Sequence, residues 1–131
     1  IKINYLCFLY PTAPLLKIST LKKSFIKLKN SNYFKLITVC NFSHPIERAL
    51  KKNKLNEIVY LNKKKQFSRS QDLSKFYYDA GQVYWHNIGK HFKKREKSKT
   101  LSLELNRYEV QDIDTLEDFK VAEKIYKLKL F

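Results

Sequence analysis

Apolar residues fall in short bursts between lysine-rich stretches, and the period of the bursts changes along the chain. Ile3–Tyr10 (INYLCFLY) is an apolar run of strand length, of the kind covered on both faces, and Pro11-Thr12-Ala13-Pro14 breaks it. From Ser19 the spacing turns helical. Leu21, Phe25 and Leu28 recur every three or four positions with lysines between, until Asn30-Ser31-Asn32 ends the pattern. Residues 34–42 (FKLITVCNF) form a second β-branched, apolar strand. Strand, helix, strand is the sequence image of a parallel crossover unit, so the pattern predicts an α/β fold.

The middle is less regular. His44-Pro45-Ile46-Glu47-Arg48-Ala49-Leu50 leads away from the second strand, 57–61 (EIVYL) is a short strand candidate, and Lys63-Lys64-Lys65 reads as a solvated turn. Residues 67–85 carry the densest mixture of polar and aromatic side chains. Gly81 stands there just before the strand-like Gln82-Val83-Tyr84-Trp85, where a glycine permits positive φ or close approach to the backbone. A short helix over Asn87–Phe92, an exposed basic loop at 93–99 and an alternating strand at 101–105 (LSLEL) follow. Last, Thr115 caps a predicted helix with Glu117 and Asp118 in its first turn; Leu116, Phe119, Ala122, Ile125 and Tyr126 form its buried stripe. There is no internal repeat.

At 131 residues and 44% hydrophobic, the chain has the length of one domain and is too apolar for disorder. No apolar run approaches the ~20 residues that span a bilayer, and Ile1-Lys2-Ile3 has no signal-peptide layout. The sequence contains no methionine and opens on a strand-like run, so a C-terminal piece of a longer protein is expected. A formal charge of +15 raises nucleic-acid binding as an alternative, but only Arg48, Arg69, Arg95 and Arg107 among the 27 basic residues are arginine. Scattered lysines lack the planar fork that suits phosphate and base edges. Cys7 and Cys40 sit in apolar runs and read as reduced, buried thiols, and His44, His86 and His91 are not spaced to complete a zinc site.

Asp112 and Asp114 flank one isoleucine. If Val110–Asp114 is extended, both carboxylates share a face and Ile113 points the other way. Like charges held that close call for a cation or a shared proton, and hard oxygen donors suit Mg²⁺. The residues alone leave a second reading open: Asp114 assists the helix cap and Asp112 faces solvent. Glycoside hydrolysis fits poorly, because it needs two acids flanking a sugar ring.

VQDIDTLEDFKVAEKIY (110–126) resembles the C-terminal motif of the acylneuraminate (CMP-nonulosonic acid) cytidylyltransferases. YPTAPLL (10–16) resembles that family's strand-end motif and HPIERAL (44–50) the opening of its dimerisation insert. RSQDL (69–73) and YDAGQVYW (78–85) are similar to the pseudaminic acid branch. The resemblance implies a Rossmann-like nucleotide-diphospho-sugar transferase fold, with 1–131 as the C-terminal part of one domain and a dimerisation insert at about 43–77. It implies a cytoplasmic homodimer that transfers CMP from CTP to the anomeric hydroxyl of a nonulosonic acid, pseudaminic acid above all, with Mg²⁺ held by Asp112 and Asp114 as catalytic groups. Arg48 and Arg69 are implied for the sugar carboxylate or phosphate, Gln71, Asp79, Gly81, Gln82 and Tyr84 for the sugar pocket, and Thr12 near the nucleotide–sugar junction.

Two departures from the sialic acid branch, Tyr10 in place of glutamine and Ala80-Gly81-Gln82 in place of Asn-Gly-Ala, fit the pseudaminic branch better. The family's glycine- and arginine-rich triphosphate loop has no counterpart here; Gly81 and Gly89 are the chain's two glycines. The piece is therefore expected to be inactive alone. A non-catalytic, truncated homologue is the remaining alternative.

Overall fold

The computed structural model describes residues 1–128, leaving aside the side chain of Arg95. In chain order the elements are β1 (Tyr5–Leu9), α1 (Ile18–Lys29), β2 (Lys35–Asn41), β3 (Leu50–Lys52), β4 (Ile58–Tyr60), β5 (Tyr77–Asn87), α2 (Lys94–Lys97), β6 (Thr100–Leu105) and α3 (Leu116–Lys127). They form two compact units, one from Ile1–Cys40 and Asp79–Phe131, the other from Asn41–Tyr78.

The first unit holds a four-stranded sheet in the order β1-β5-β2-β6. β1 runs antiparallel to β5, from Tyr5 opposite Asn87 to Leu9 opposite Val83. β2 runs parallel to β6, from Lys35 opposite Thr100 to Cys40 opposite Leu105. The predicted strand–helix–strand run does enter one sheet, but β5 lies between β1 and β2. Burial accounts for the order. Ala80, Gly81, Gln82 and Val83 of β5 are all buried, whereas β1 is nowhere fully buried. β1 is thus not the doubly covered strand its composition predicts: Leu6, Phe8 and Leu9 are exposed along the sheet edge.

α1 buries Leu28 of the stripe its large residues suggest, but Leu21 and Phe25 are only half-buried. Thr20, Ser24 and Leu28 are buried. The Trp85 indole N–H donates to Ser24 Oγ at 3.0 Å, and Ser24 Oγ donates to the Leu21 carbonyl at 2.9 Å. Phe25 sits beside this contact, its ring 5.0 Å from Trp85 and 5.2 Å from Tyr5. A small hydroxyl lets helix and strand approach and satisfies a donor that would cost about 1–3 kcal/mol if buried unpaired. Cys40, Ala80, Leu105 and Val110 form a core cluster, with Leu103 against it.

Two further expectations change. Residues 87–92 form no helix: the backbone N–H groups of Ile88 and Gly89 both donate to the Asn4 carbonyl, which spends the donors on a turn. The single helical turn lies inside the basic run instead, at Lys94–Lys97, where Glu96 accepts from the Lys93 backbone N–H at 2.7 Å. The α3 stripe is also narrower than its pattern. Ala122 is buried and Ile125 half-buried, while Leu116, Phe119 and Tyr126 are exposed. A hollow of about 160 Å³ lies between this helix and Pro14, Leu15 and Ile113.

In the second unit, β3 and β4 pair antiparallel, Leu50 opposite Tyr60. Their turn is set by Asn53, whose side-chain oxygen accepts from the N–H groups of Leu55 and Glu57, each at 2.9 Å, and by Asn56 at φ 65°. Among the described residues, Leu73 is this unit's single buried hydrophobic side chain.

Candidate active site

The site begins with a break in β5. In an unbroken strand, positions 79 and 84 face opposite sides of the sheet. Gly81 adopts φ +65°, the left-handed conformation that glycine enters without penalty and that marks bulges. Beyond it the Val83 N–H turns to the Thr38 side chain, donating to Oγ1 at 3.2 Å. The phase shift brings the Tyr84 hydroxyl back to Asp79, where it donates to Oδ1 at 2.9 Å. The same oxygen accepts the Gly81 N–H at 3.0 Å. Burial first, then the hydrogen bond and charge of Asp79, push the Tyr84 phenol above its ordinary range, so it remains a donor. The Tyr10 ring covers it, with centroids 5.1 Å apart.

Against this kink lies the loop that carries the two aspartates. It is not a strand: it connects a 3₁₀ turn at Arg107–Glu109 to α3. Each end is anchored. Glu109 takes Lys17 Nζ at 2.6 Å, and its carbonyl accepts from the Gln82 side-chain amide. Lys17 holds the Glu109 carboxyl below the usual glutamate range. In the centre, the Ile113 N–H donates to the Thr12 carbonyl at 3.1 Å, tying the Pro11–Pro14 segment to the residue between the aspartates. At the far end Thr115 caps α3, its Oγ1 accepting the Asp118 N–H at 3.2 Å. Asp118 returns the bond to the Thr115 N–H at 2.9 Å and takes Gln111 Nε2 at 3.2 Å. These donors, the Thr115 hydroxyl foremost, lower the Asp118 carboxyl pKa.

Asp112 is half-buried, and its Oδ1 is buried with no hydrogen-bond donor among the described residues. Its other oxygen, Oδ2, lies 3.0 Å from the place a Cβ on Gly81 would occupy. Asp114 is exposed. Among the described residues no group of three or more His, Cys, Asp or Glu side chains gathers to hold a metal. A protein share of one or two carboxylates suits Mg²⁺, which takes its remaining ligands from water and substrate phosphates. A buried carboxylate oxygen without a donor is the kind of atom such a cation would satisfy.

The structure therefore brings Thr12, Asp79, Gly81, Tyr84 and Asp112 together in the first unit. Gln82 is only 1% exposed and supports the loop through Glu109 rather than facing open space. Arg48, Arg69 and Gln71 lie in the second unit. Arg48 Nη1 donates to Ser70 Oγ at 3.4 Å, Arg69 precedes the 3₁₀ turn at Ser70–Asp72, and Gln71 is exposed on it. The sequence pattern does not mark Lys17, Glu109, Gln111 and Asp118 as site residues. A local signal exists for one of them: Asp118 stands at the third helical position after the Thr115 cap, where a reciprocal bond forms.

No protein-family model matches the chain. It is 36% identical over 129 residues to pseudaminic acid cytidylyltransferase of Campylobacter jejuni strain 81-176, covering 95% of this chain and 55% of that protein. A second C. jejuni strain gives the same identity and coverage. A Helicobacter pylori protein described as pseudaminic acid cytidylyltransferase and UDP-2,4-diacetamido-2,4,6-trideoxy-beta-L-altropyranose hydrolase is 32% identical over 123 residues, 89% of this chain and 23% of its own length. The chain thus spans about half the length of the C. jejuni relatives. In three dimensions it is similar to 4-diphosphocytidyl-2C-methyl-D-erythritol synthase from Anaerococcus prevotii. The TM-score is 0.55 at 11% identity, over 95% of this chain and 59% of that one, a likeness of fold alone.

Proposed function

We propose, for a chain that belongs to the CMP-nonulosonic acid cytidylyltransferase family, that it supplies the sugar-side half of an active site transferring CMP from CTP to pseudaminic acid. In that reaction the anomeric oxygen bonds to the α-phosphorus of CTP, the bond to pyrophosphate breaks, and the hydroxyl proton is lost. The observation that carries this reading is the orphaned, buried Oδ1 of Asp112, whose other oxygen lies against Gly81, in a chain with pseudaminic acid cytidylyltransferase relatives. Asp112 and Asp114 would hold Mg²⁺, which when bound neutralises charge on the phosphates and orients the displacement. Asp79 and Tyr84 would shape the wall facing the sugar, and the Thr12 carbonyl anchors the aspartate loop through Ile113. In the second unit, Arg48 and Arg69 are fork-shaped donors suited to a carboxylate or phosphate. We assign that unit to contact with a second copy, since Leu50, Ile58, Val59 and Leu61 expose an apolar hairpin surface. The protein would act in the cytoplasm, where CTP is available.

The test is a chimera in which this chain replaces the matching segment of the C. jejuni relative. Pyrophosphate release from CTP is expected only with pseudaminic acid and Mg²⁺. Asp112→Ala and Asp114→Ala are expected to lower kcat about 10²- to 10³-fold, as loss of one transition-state charge stabiliser does. Normal turnover in both variants would sink the metal assignment.

A further inference from the structure

The geometry points to Gly81 as a positioning residue for Asp112, acting through that carboxylate rather than by touching substrate. The contact stands by itself; its consequence for cation binding rests on the function proposed above. Three observations meet at this position. Gly81 has φ +65°, where L side chains are strained. A methyl group there would stand 3.0 Å from Asp112 Oδ2 and 3.3 Å from its Cγ, inside ordinary contact distance. The kink is held from within by Asp79, whose Oδ1 accepts both the Gly81 N–H and the Tyr84 hydroxyl. The missing Cβ of Gly81 thus leaves the space that Oδ2 occupies, while Oδ1 stays buried and free of donors among the described residues. A carboxylate given room on one flank and left without a donor at its other oxygen keeps that oxygen for a cation. Any side chain at position 81 displaces it. Asp79 and Tyr84 serve the same end, because they keep β5 kinked toward the aspartate loop.

A double-mutant cycle in the chain itself, read by thermal unfolding without metal or substrate, tests the contact. Gly81→Ala is expected to lower Tm by roughly 5 °C or more, from backbone strain and crowding together. With Asp112→Ala also present, several degrees of that loss should return, because the methyl then meets no carboxylate. The φ strain is common to both arms and cancels. Strictly additive shifts would overturn the inference. If Gly81→Ala alone does not fold, recovery of a cooperative transition in the double variant supports it and continued failure overturns it. A second arm titrates Mn²⁺ by water-proton relaxation. Gly81→Ala should bind about tenfold more weakly, the scale on which residues supporting a metal ligand act, and equal affinity would overturn the cation-binding part. If the unsubstituted chain shows no Asp112-dependent Mn²⁺ binding, the metal assignment of the proposed function fails instead, and the unfolding cycle still decides the contact.

Discussion

The two units of this chain are built from similar residues to opposite effect. In the first, Leu15, Leu28, Leu36 and Val83 are at most 2% exposed. In the second, Leu55, Leu61 and Phe67 are 78%, 70% and 90% exposed. The first unit has a sheet that a helix can cover; the second has a hairpin of two three-residue strands and short turns, too little surface to enclose a core. The difference teaches where precision can be kept. A carboxylate can be placed closely only where its neighbours are themselves packed. Asp112 stands against the buried Gly81, while Arg48 and Arg69 stand on exposed turns.

The widest expected effect breaks the comparison at its root. Leu28→Ala, at a fully buried position, should cost about 2–5 kcal/mol in urea unfolding. Ile58→Ala, on the exposed hairpin, should cost under about 0.5 kcal/mol in the isolated copy. Ile58→Asp should leave folding intact and reduce the sedimenting mass if the hairpin joins two copies. Similar losses from Leu28→Ala and Ile58→Ala would remove the distinction between the units.

A smaller effect sharpens the picture inside the first unit. Lys17 keeps the Glu109 carboxyl below its ordinary pKa of 4.5. A group depressed on folding contributes stability above its unfolded pKa and loses it as pH falls through its folded value. Stability should therefore decline below about pH 4.5 more steeply in the unsubstituted chain than in Glu109→Gln. Denaturant midpoints at several acidic pH values check this, and parallel curves would show that the pair does not anchor the loop energetically.

The smallest effect concerns the solvent face of α3. Lys127 pairs with Glu123 at 2.8 Å, but both side chains are largely exposed. Lys127→Ala should shift stability by no more than about 0.5 kcal/mol. A larger loss would mean that this end of the helix is held by more than its exposed pair.

Local rules made much of this legible. The alternation of LSLEL matches β6, whose Leu101, Leu103 and Leu105 face inward. Thr115 and Asp118 mark the start of α3 because a cap needs only neighbours in sequence. The five quoted words pointed to the family that the comparisons bear out. Other features were not legible. The spacing of Leu21 and Phe25 announces a helix, yet the buried stripe is centred on Ser24, since only the arrival of Trp85 makes a small hydroxyl preferable there. The aspartate segment, which by spacing could be an extended run or a helix entrance, is a loop, because its backbone donors go to Thr12 and Asp118 rather than to a neighbouring strand.

By itself the sequence determined the α/β class and the capped helix after the aspartates, and it marked Gly81 as a place where positive φ or close approach is permitted. Which strands adjoin, and which carboxylate rests on that glycine, only the tertiary structure decided. Periodicity and capping act between residues a few positions apart. The contact of Gly81 with Asp112 joins segments distant in the chain, and no local preference encodes the place where they meet.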